Sequence, residues 1–185
     1  MKQDSKHPYE KREYQVLPYD PRWVHRFTKY VSRIRSVFEG TVRIEHIGST
    51  SVPGLAGKPC VDVLVIVHDL KIVEDRIDAM ERAGFAYAGP FVMKDSLLFR
   101  EMEGNTVLAN IHCFPAGHTH IEGMIALREY LRTRPDEVRA YAKCKRLLYA
   151  QHAREYAKYR RKKDAYMEGL KRRVFAWGRT SRGNL

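Results

Sequence analysis

The sequence is poor in the features that mark secreted, membrane-spanning and disulfide-stabilised proteins. Its three cysteines, Cys60, Cys113 and Cys144, lie far apart among 185 residues, so they predict no disulfide framework and no paired zinc ligands. No apolar run approaches the roughly 18 residues of a membrane helix. The first 15 residues lack the apolar stretch of a secretory signal. These absences predict a cytoplasmic protein without membrane contact, in which the cysteines are small core residues.

Positive charge is what the sequence has in excess. Lys and Arg number 34 against 22 Asp and Glu, which gives a formal net charge of +12. Almost half of the basic side chains fall within residues 139–182, where acidic ones are few. A solvated surface would explain this concentration, and so would a face that binds an anionic partner. Nucleic acid is therefore a candidate partner of the C-terminal helices, beside phosphate-bearing small molecules.

Hydrophobic periodicity predicts an α+β fold that ends in helices. The chain divides into a loose arm over residues 1–15, an α+β core over 16–118 and a basic helical segment over 119–178, all in one domain. We expect a mixed sheet with strand 60–67 in its interior and the first two helices on one face. The predicted elements are helices 21–38 and 69–83, strands 42–47, 60–67 and 85–87, a hairpin of 96–102 and 106–114, and helices over 121–177 broken near Pro135 and Arg154.

The loop over residues 48–59 carries the side chains best suited to binding phosphate. Glycine allows close approach of the backbone to a ligand, hydroxyl groups donate to phosphate oxygens, and lysine adds a positive charge. A Walker A loop is excluded, because Pro59 and a strand follow the lysine instead of Ser or Thr and a helix. A long surface turn is the structural alternative. The residues concerned are Gly48, Ser49, Thr50, Ser51 and Lys58.

Asp62 interrupts an otherwise apolar predicted strand just after this loop. Burying a carboxylate is costly unless it is paired or binds a metal. We therefore expect Asp62 to have a partner, which is a divalent ion such as Mg²⁺ or one of the side chains Lys58, Arg100 and His112. His46, just before the loop, either lines the same pocket or supports the structure.

The segment HIGSTSVPGL, which begins at His46, and the segment KPCVDV, which begins at Lys58, together resemble the signature of the GrpB (UPF0157) family. Further resemblance covers the entry around Trp23, the segments Leu98–Arg100 and Ile111–His112, and parts of 127–147. The family in turn resembles the nucleotidyltransferase superfamily with the DNA polymerase β-like fold. The resemblance implies a nucleotidyltransferase-like mixed β-sheet with helices packed on it.

The superfamily pattern also implies roles for individual residues. Gly48 and Ser49 would bind triphosphate oxygens, and Asp62 would be the first metal-binding carboxylate. The second carboxylate is missing, because Leu64 stands at its position, and the third is missing as well, because Asn110 and His112 are the candidates there. Two-metal transfer needs several anionic ligands. For His112 this leaves phosphate contact, a softer divalent ion, general acid–base chemistry, or a structural hydrogen bond.

The sequence thus predicts a nucleotidyltransferase-like protein that binds a nucleoside triphosphate with Mg²⁺ or another divalent cation and transfers a nucleotidyl group to an unknown acceptor. The alternative is a catalytically degenerate fold that binds nucleotide or RNA without chemistry. Lys143 and Arg146 are included as phosphate ligands because they lie one helical turn apart. The predicted catalytic residues are Asp62 and His112, with Asp62 as metal ligand, and the predicted phosphate-binding residues are Gly48, Ser49, Thr50, Ser51, Lys58, Arg100, Lys143 and Arg146.

Overall fold

The computed structural model describes residues 13–40, 42–90 and 95–182, so most of the predicted arm over 1–15 lies outside the described residues. Five strands form one mixed sheet in the order β1-β2-β5-β4-β3, in which β2 and β5 are parallel and the other neighbours antiparallel. The strands are β1 (Arg43–Ile47), β2 (Val61–Val67), β3 (Ala86–Tyr87), β4 (Leu97–Glu103) and β5 (Thr106–Pro115). The α+β class and the interior position of β2 are confirmed.

In the part of the chain that the structure describes, six α-helices accompany the sheet. They are α1 (Arg22–Phe38), α2 (Lys71–Glu74), α3 (Ile77–Arg82), α4 (Thr119–Arg132), α5 (Pro135–His152) and α6 (Tyr156–Arg182). The prediction of a single helix over 69–83 is wrong in one respect. The segment forms two short helices, which are separated at Arg76, where the φ of −117° is not helical. Val73 and Met80 still reach the same core. The spacing of apolar residues shows which side of a helix is buried. It does not reveal a break in the helix when the residues on both sides of the break still face the same core.

The first face of the sheet is fully covered by α1, α2 and α3. Alternate residues of a strand point to one face, and the alternate residues Val61, Val63 and Val65 of β2 are completely buried there. They form one core with Ile34 and Phe38 of α1. This face supplies the main hydrophobic stabilisation of the sheet and leaves the other face for the remaining helices.

The second face is covered over only part of its length. Leu64 of β2 and Phe114 of β5 pack against Ile121 of α4, and Met124 and Ile125 complete this cluster. The polar residues of β2 and β5 that lie nearer the 48–59 loop are not in it. We call the uncovered part of this face, which contains Asp62, Asn110, His112 and Arg100, the open half-face.

The helices α4, α5 and α6 pack on one another and on the 48–59 loop. Val52, Leu55 and Ala56 of the loop are buried in one cluster with Tyr141 of α5 and Tyr156 of α6. The helical segment therefore shares a core with the loop. None of the helices in the part of the chain that the structure describes is both long and apolar enough to cross a membrane.

Candidate functional site

The open half-face is a patch of polar side chains on an otherwise apolar sheet. Asp62 of β2 is paired with Asn110 of β5, which is in turn paired with Arg100 of β4. His112 lies two residues further along β5 and therefore points to the same face. All four side chains are partly exposed. The structure thus brings Asp62, Arg100 and His112, three of the predicted site residues, onto one surface.

Asp62 has partners on the neighbouring strand. The Asn110 side-chain amide donates a 2.8 Å hydrogen bond to Asp62 Oδ1, and His112 Nε2 lies 3.6 Å from the same oxygen. Burial raises the pKa of the Asp62 carboxyl, but the interactions with His112, Asn110 and Lys58 outweigh it and lower that pKa below its usual value. Lys58 acts on Asp62 through its charge, because its ammonium group donates to the Tyr156 hydroxyl at 2.7 Å.

Gly48 allows the loop to leave β1 directly over Asp62. Its φ of 71° and ψ of −169° are essentially reserved for glycine. A Cβ at this position would lie 2.4 Å from Asp62 Oδ2. The bare backbone of Gly48 therefore rests on the carboxylate, and the 3₁₀ helix Ser49–Ser51 begins beside it.

Two of the three loop hydroxyls are used inside the protein. The Ser51 hydroxyl donates to the Gly48 carbonyl oxygen at 2.7 Å, and Thr50 Oγ1 lies 2.9 Å from His46 Nε2. Both hydroxyl residues are buried. Ser49, in contrast, is half-buried and directly follows Gly48, whose backbone lies against Asp62. Phosphate binding by Thr50 and Ser51 stays a prediction.

His46 lies between the loop and helix α1 and contacts both. Its ring stacks on Phe27 with centroids 4.5 Å apart, and it is 7% exposed. Burial lowers its pKa to about 4, and the nearby charge of Asp62 only partly opposes this effect. The sequence left two roles open for His46, and a neutral ring that is hydrogen-bonded to Thr50 fits the structural one.

Lys145 of α5 is the site residue that the sequence analysis missed. Its ammonium group donates to Ser49 Oγ at 2.8 Å and lies 4.3 Å from the centre of the Tyr141 ring. The residue is 2% exposed. Within residues 13–40, 42–90 and 95–182 it forms no salt bridge with a carboxylate. Desolvation, followed by repulsion from Lys163, lowers its pKa from 10.5 to about 7.

Lys143 and Arg146, the two α5 residues predicted to contact phosphate, are both exposed. The side chain that faces the loop lies between them in sequence. The available signal was helical spacing, because Val138, Tyr141 and Ala142 form the apolar stripe of α5 and Lys145 continues it. A lysine at a core position of an amphipathic helix marks a buried cation that needs a partner.

The donor set around Asp62 fits one magnesium ion better than two. Magnesium is commonly held by one or two carboxylates together with substrate phosphates and water. Among the described residues, no group of three or more His, Cys, Asp and Glu side chains is placed to hold a metal. Asp62 could share a single ion with a bound phosphate, and the described residues offer no cluster of ligands for a second ion.

A separate groove of about 930 Å³ lies between α4 and α6. Leu127, Val174 and the exposed Phe175 are among the residues that line it. None of the predicted site residues contributes to this groove, which is more apolar than the open half-face. Its volume alone does not make it the site of the polar chemistry described above.

Comparison with known proteins places this chain in a family. The family model described as GrpB protein matches residues 13–173. The UPF0157 protein BH1888 of Halalkalibacterium halodurans is 32% identical over 87% of this chain and 82% of its own length. The UPF0157 protein YqkA of Bacillus subtilis is 30% identical over 92% of this chain, which spans only half of that protein.

A solved structure shows the same fold. The crystal structure of conserved protein GrpB from Enterococcus faecalis superposes with a TM-score of 0.82 at 31% sequence identity, covering 86% of this chain and 96% of that one. The chain belongs to the GrpB family.

Proposed function

We propose that this protein binds a nucleoside triphosphate on the open half-face, in the manner of a nucleotidyltransferase-like fold. The observation that carries the proposal is the excess of positive charge there, because Lys58 and Arg100 accompany the single carboxylate of Asp62. A site with this charge balance attracts an anionic ligand. A phosphate chain matches it in both charge and hydrogen-bonding capacity.

Each residue has a distinct role in the proposed complex. When Lys145 is protonated it donates to Ser49 Oγ, so the Ser49 hydroxyl hydrogen is available for a phosphate oxygen. Lys58 and Arg100 balance the charge of the phosphate chain. The backbone of Gly48 carries no side chain that would obstruct the ligand. His112, beside Asp62, is placed to contact phosphate or to exchange a proton with it.

Mg²⁺ fits this proposal as an ion that arrives with the triphosphate. Asp62 would hold it together with phosphate oxygens, and the ion would screen the negative charge of the phosphates when bound. Transfer of a nucleotidyl group by two metal ions is not part of the proposal, since Leu64, Asn110 and His112 stand where further carboxylates would be needed. The residues favour binding over two-metal nucleotidyl transfer. Nucleic-acid binding by the C-terminal helices stays a prediction.

Replacing Lys58 by methionine is expected to weaken ATP binding by at least about 10-fold, because a cation worth more than 1 kcal/mol of phosphate interaction is lost. Isothermal titration calorimetry with a non-hydrolysable ATP analogue measures the change. The matched control is Lys29→Met, which removes an equally positive but exposed side chain of α1. Equal affinity of the wild type and Lys58→Met would contradict the proposed placement of the phosphates.

Replacing Asp62 by asparagine is expected to remove the dependence of ATP affinity on Mg²⁺ and to change the free energy of unfolding by only about 1 kcal/mol. The amide has the same shape, and it still offers an oxygen to the Asn110 side chain. Asp78→Asn, at an exposed position of α3, is the control for the lost negative charge. If magnesium enhanced ATP binding equally in Asp62→Asn and wild type, Asp62 would not be the metal ligand.

A further inference from the structure

We infer that Ser49 is a nucleophile, that the Lys145 amine is its general base, and that the group transferred to Ser49 is the terminal phosphoryl group of the bound nucleoside triphosphate. This inference rests on the proposed function, because it requires the triphosphate to lie on the open half-face. It adds a covalent step that the charge balance of the site does not by itself imply.

The geometry of the pair is that of a serine beside its base. Lys145 Nζ lies 2.8 Å from Ser49 Oγ, within the range required for direct proton transfer. Ser49 is half-buried at the edge of the open half-face, whereas Lys145 is 2% exposed behind it. The hydroxyl can therefore meet a ligand, and the amine is shielded from water.

The loop is built to bring these two side chains together. A Cβ at position 57 would lie 2.8 Å from Ser49 Cβ and 3.8 Å from Lys145 Nζ, so glycine is needed there. Val52, Leu55 and Ala56 are anchored in the same apolar cluster as α5. Arg132 of α4 donates to the Ser51 carbonyl oxygen at 2.8 Å and holds the 3₁₀ helix in place. The pair is thus rigidly positioned before any ligand binds.

The surroundings favour the neutral amine over the ammonium ion. Lys163 of α6 and Lys58 of the loop repel a positive charge on Lys145, whereas Cys144 and Asp62 favour it. The Tyr141 ring, four residues earlier on α5, covers the amine and, as a cation–π partner, favours its charged form. Desolvation is the largest effect and brings the pKa of Lys145 to about 7. Near neutral pH a large fraction of the amine is unprotonated and can accept the Ser49 proton.

A purely structural lysine would be expected to look different. Buried ammonium groups in protein interiors are normally paired with a carboxylate or with several acceptors. Here Lys145 donates to the hydroxyl of Ser49, the one hydroxyl of the 48–59 loop that is not buried. Lowered lysine basicity beside an accessible hydroxyl is the arrangement that activates a serine.

The proposed step balances in atoms and charge. Ser49 Oγ attacks the terminal phosphorus, the bond from that phosphorus to the bridging oxygen breaks, and the nucleoside diphosphate leaves. The hydroxyl proton moves to Lys145 Nζ, which becomes an ammonium ion beside the new phosphoserine. Formation of this ion pair stabilises the product, because the buried cation gains the counter-charge that it lacked.

The test uses the full-length protein with ATP and magnesium chloride, and phosphoserine is located by peptide mass spectrometry. We expect phosphate on Ser49 and a rate that rises with pH between about pH 6 and about pH 8, as the base loses its proton. Lys145→Met should lower the rate by about 100-fold or more while ATP binding is retained. Ser49→Ala should abolish the product, and Lys29→Met, at an exposed position of α1, should behave as the wild type.

ATP binding is measured in parallel on the same samples, so the two proposals fail in different ways. Binding without phosphate on Ser49 at any pH would overturn the covalent step and leave the proposed function standing. Phosphate on Ser49 at a rate independent of pH in the wild type would overturn the role of Lys145 as base, and this readout does not depend on any variant folding. Absence of both binding and transfer would overturn the proposed function together with this inference.

Discussion

Replacing Lys145 by methionine is expected to affect the stability of the protein more favourably at neutral and acidic pH than at alkaline pH. The difference in free energy of unfolding, Lys145→Met minus wild type, should fall by roughly 3–5 kcal/mol between about pH 7 and about pH 10. The cause is the pKa of Lys145, which is lowered from 10.5 in water to about 7 in the folded protein because the ammonium group is desolvated.

The sign follows from proton binding. Between these two pKa values the unfolded wild type keeps the proton on Lys145 while the folded protein releases it, so the wild type becomes more stable as the pH rises. Below about pH 7 both states bind the proton, and the whole cost of burying the charge is present. Methionine carries no charge, and it fills a similar volume beside Tyr141.

Urea unfolding over a series of pH values measures this difference. Tyrosines whose pKa is raised by burial, such as Tyr14 and Tyr159, titrate equally in the variant and the wild type and therefore cancel. Lys143→Met, which removes an exposed positive charge from the same helix, is the control for the lost charge. A pH-independent difference for Lys145→Met would show that Lys145 has an ordinary pKa in the folded protein.

Replacing Gly48 by alanine is expected to lower the free energy of unfolding by about 3 kcal/mol or more and to abolish ATP binding. Two costs add up at this position. The backbone conformation, with φ of 71°, disfavours any side chain. The new methyl group would also lie 2.4 Å from Asp62 Oδ2, so the loop or the carboxylate has to move.

Gly104→Ala separates the two costs. Gly104 also has a positive φ, of 55°, but nothing lies within 4 Å of a Cβ built there. Its replacement should cost only about 1 kcal/mol and leave ATP binding unchanged. Chemical denaturation and calorimetry on the two variants provide the comparison. If Gly48→Ala were no more destabilising than Gly104→Ala, the close contact between the loop and Asp62 would not exist in solution.

The fold was largely predictable because its signals are local. The β-branched run of β2, the periodic helix α1 and the glycine-containing turn between β4 and β5 all lie within short windows of sequence. The sequence analysis also named His112 among the candidate partners of Asp62, and the structure brings the two side chains to within 3.6 Å. The prediction of one continuous helix over 69–83 was wrong. The hydrophobic pattern does not reveal the break at Arg76, because Val73 and Met80 face the same core with or without it.

The candidate site was only partly predictable because its members are far apart in sequence. The sequence by itself determined the strand and loop that carry Ser49 and Asp62, since glycine, hydroxyl residues and a lone carboxylate within a few positions define them. Only the tertiary structure decided that α5 turns Lys145 toward Ser49, 96 residues away, and directs Lys143 and Arg146 to solvent. The physical reason is that a lysine's role depends on which face of its helix is buried, and that depends on how the helices pack on the loop.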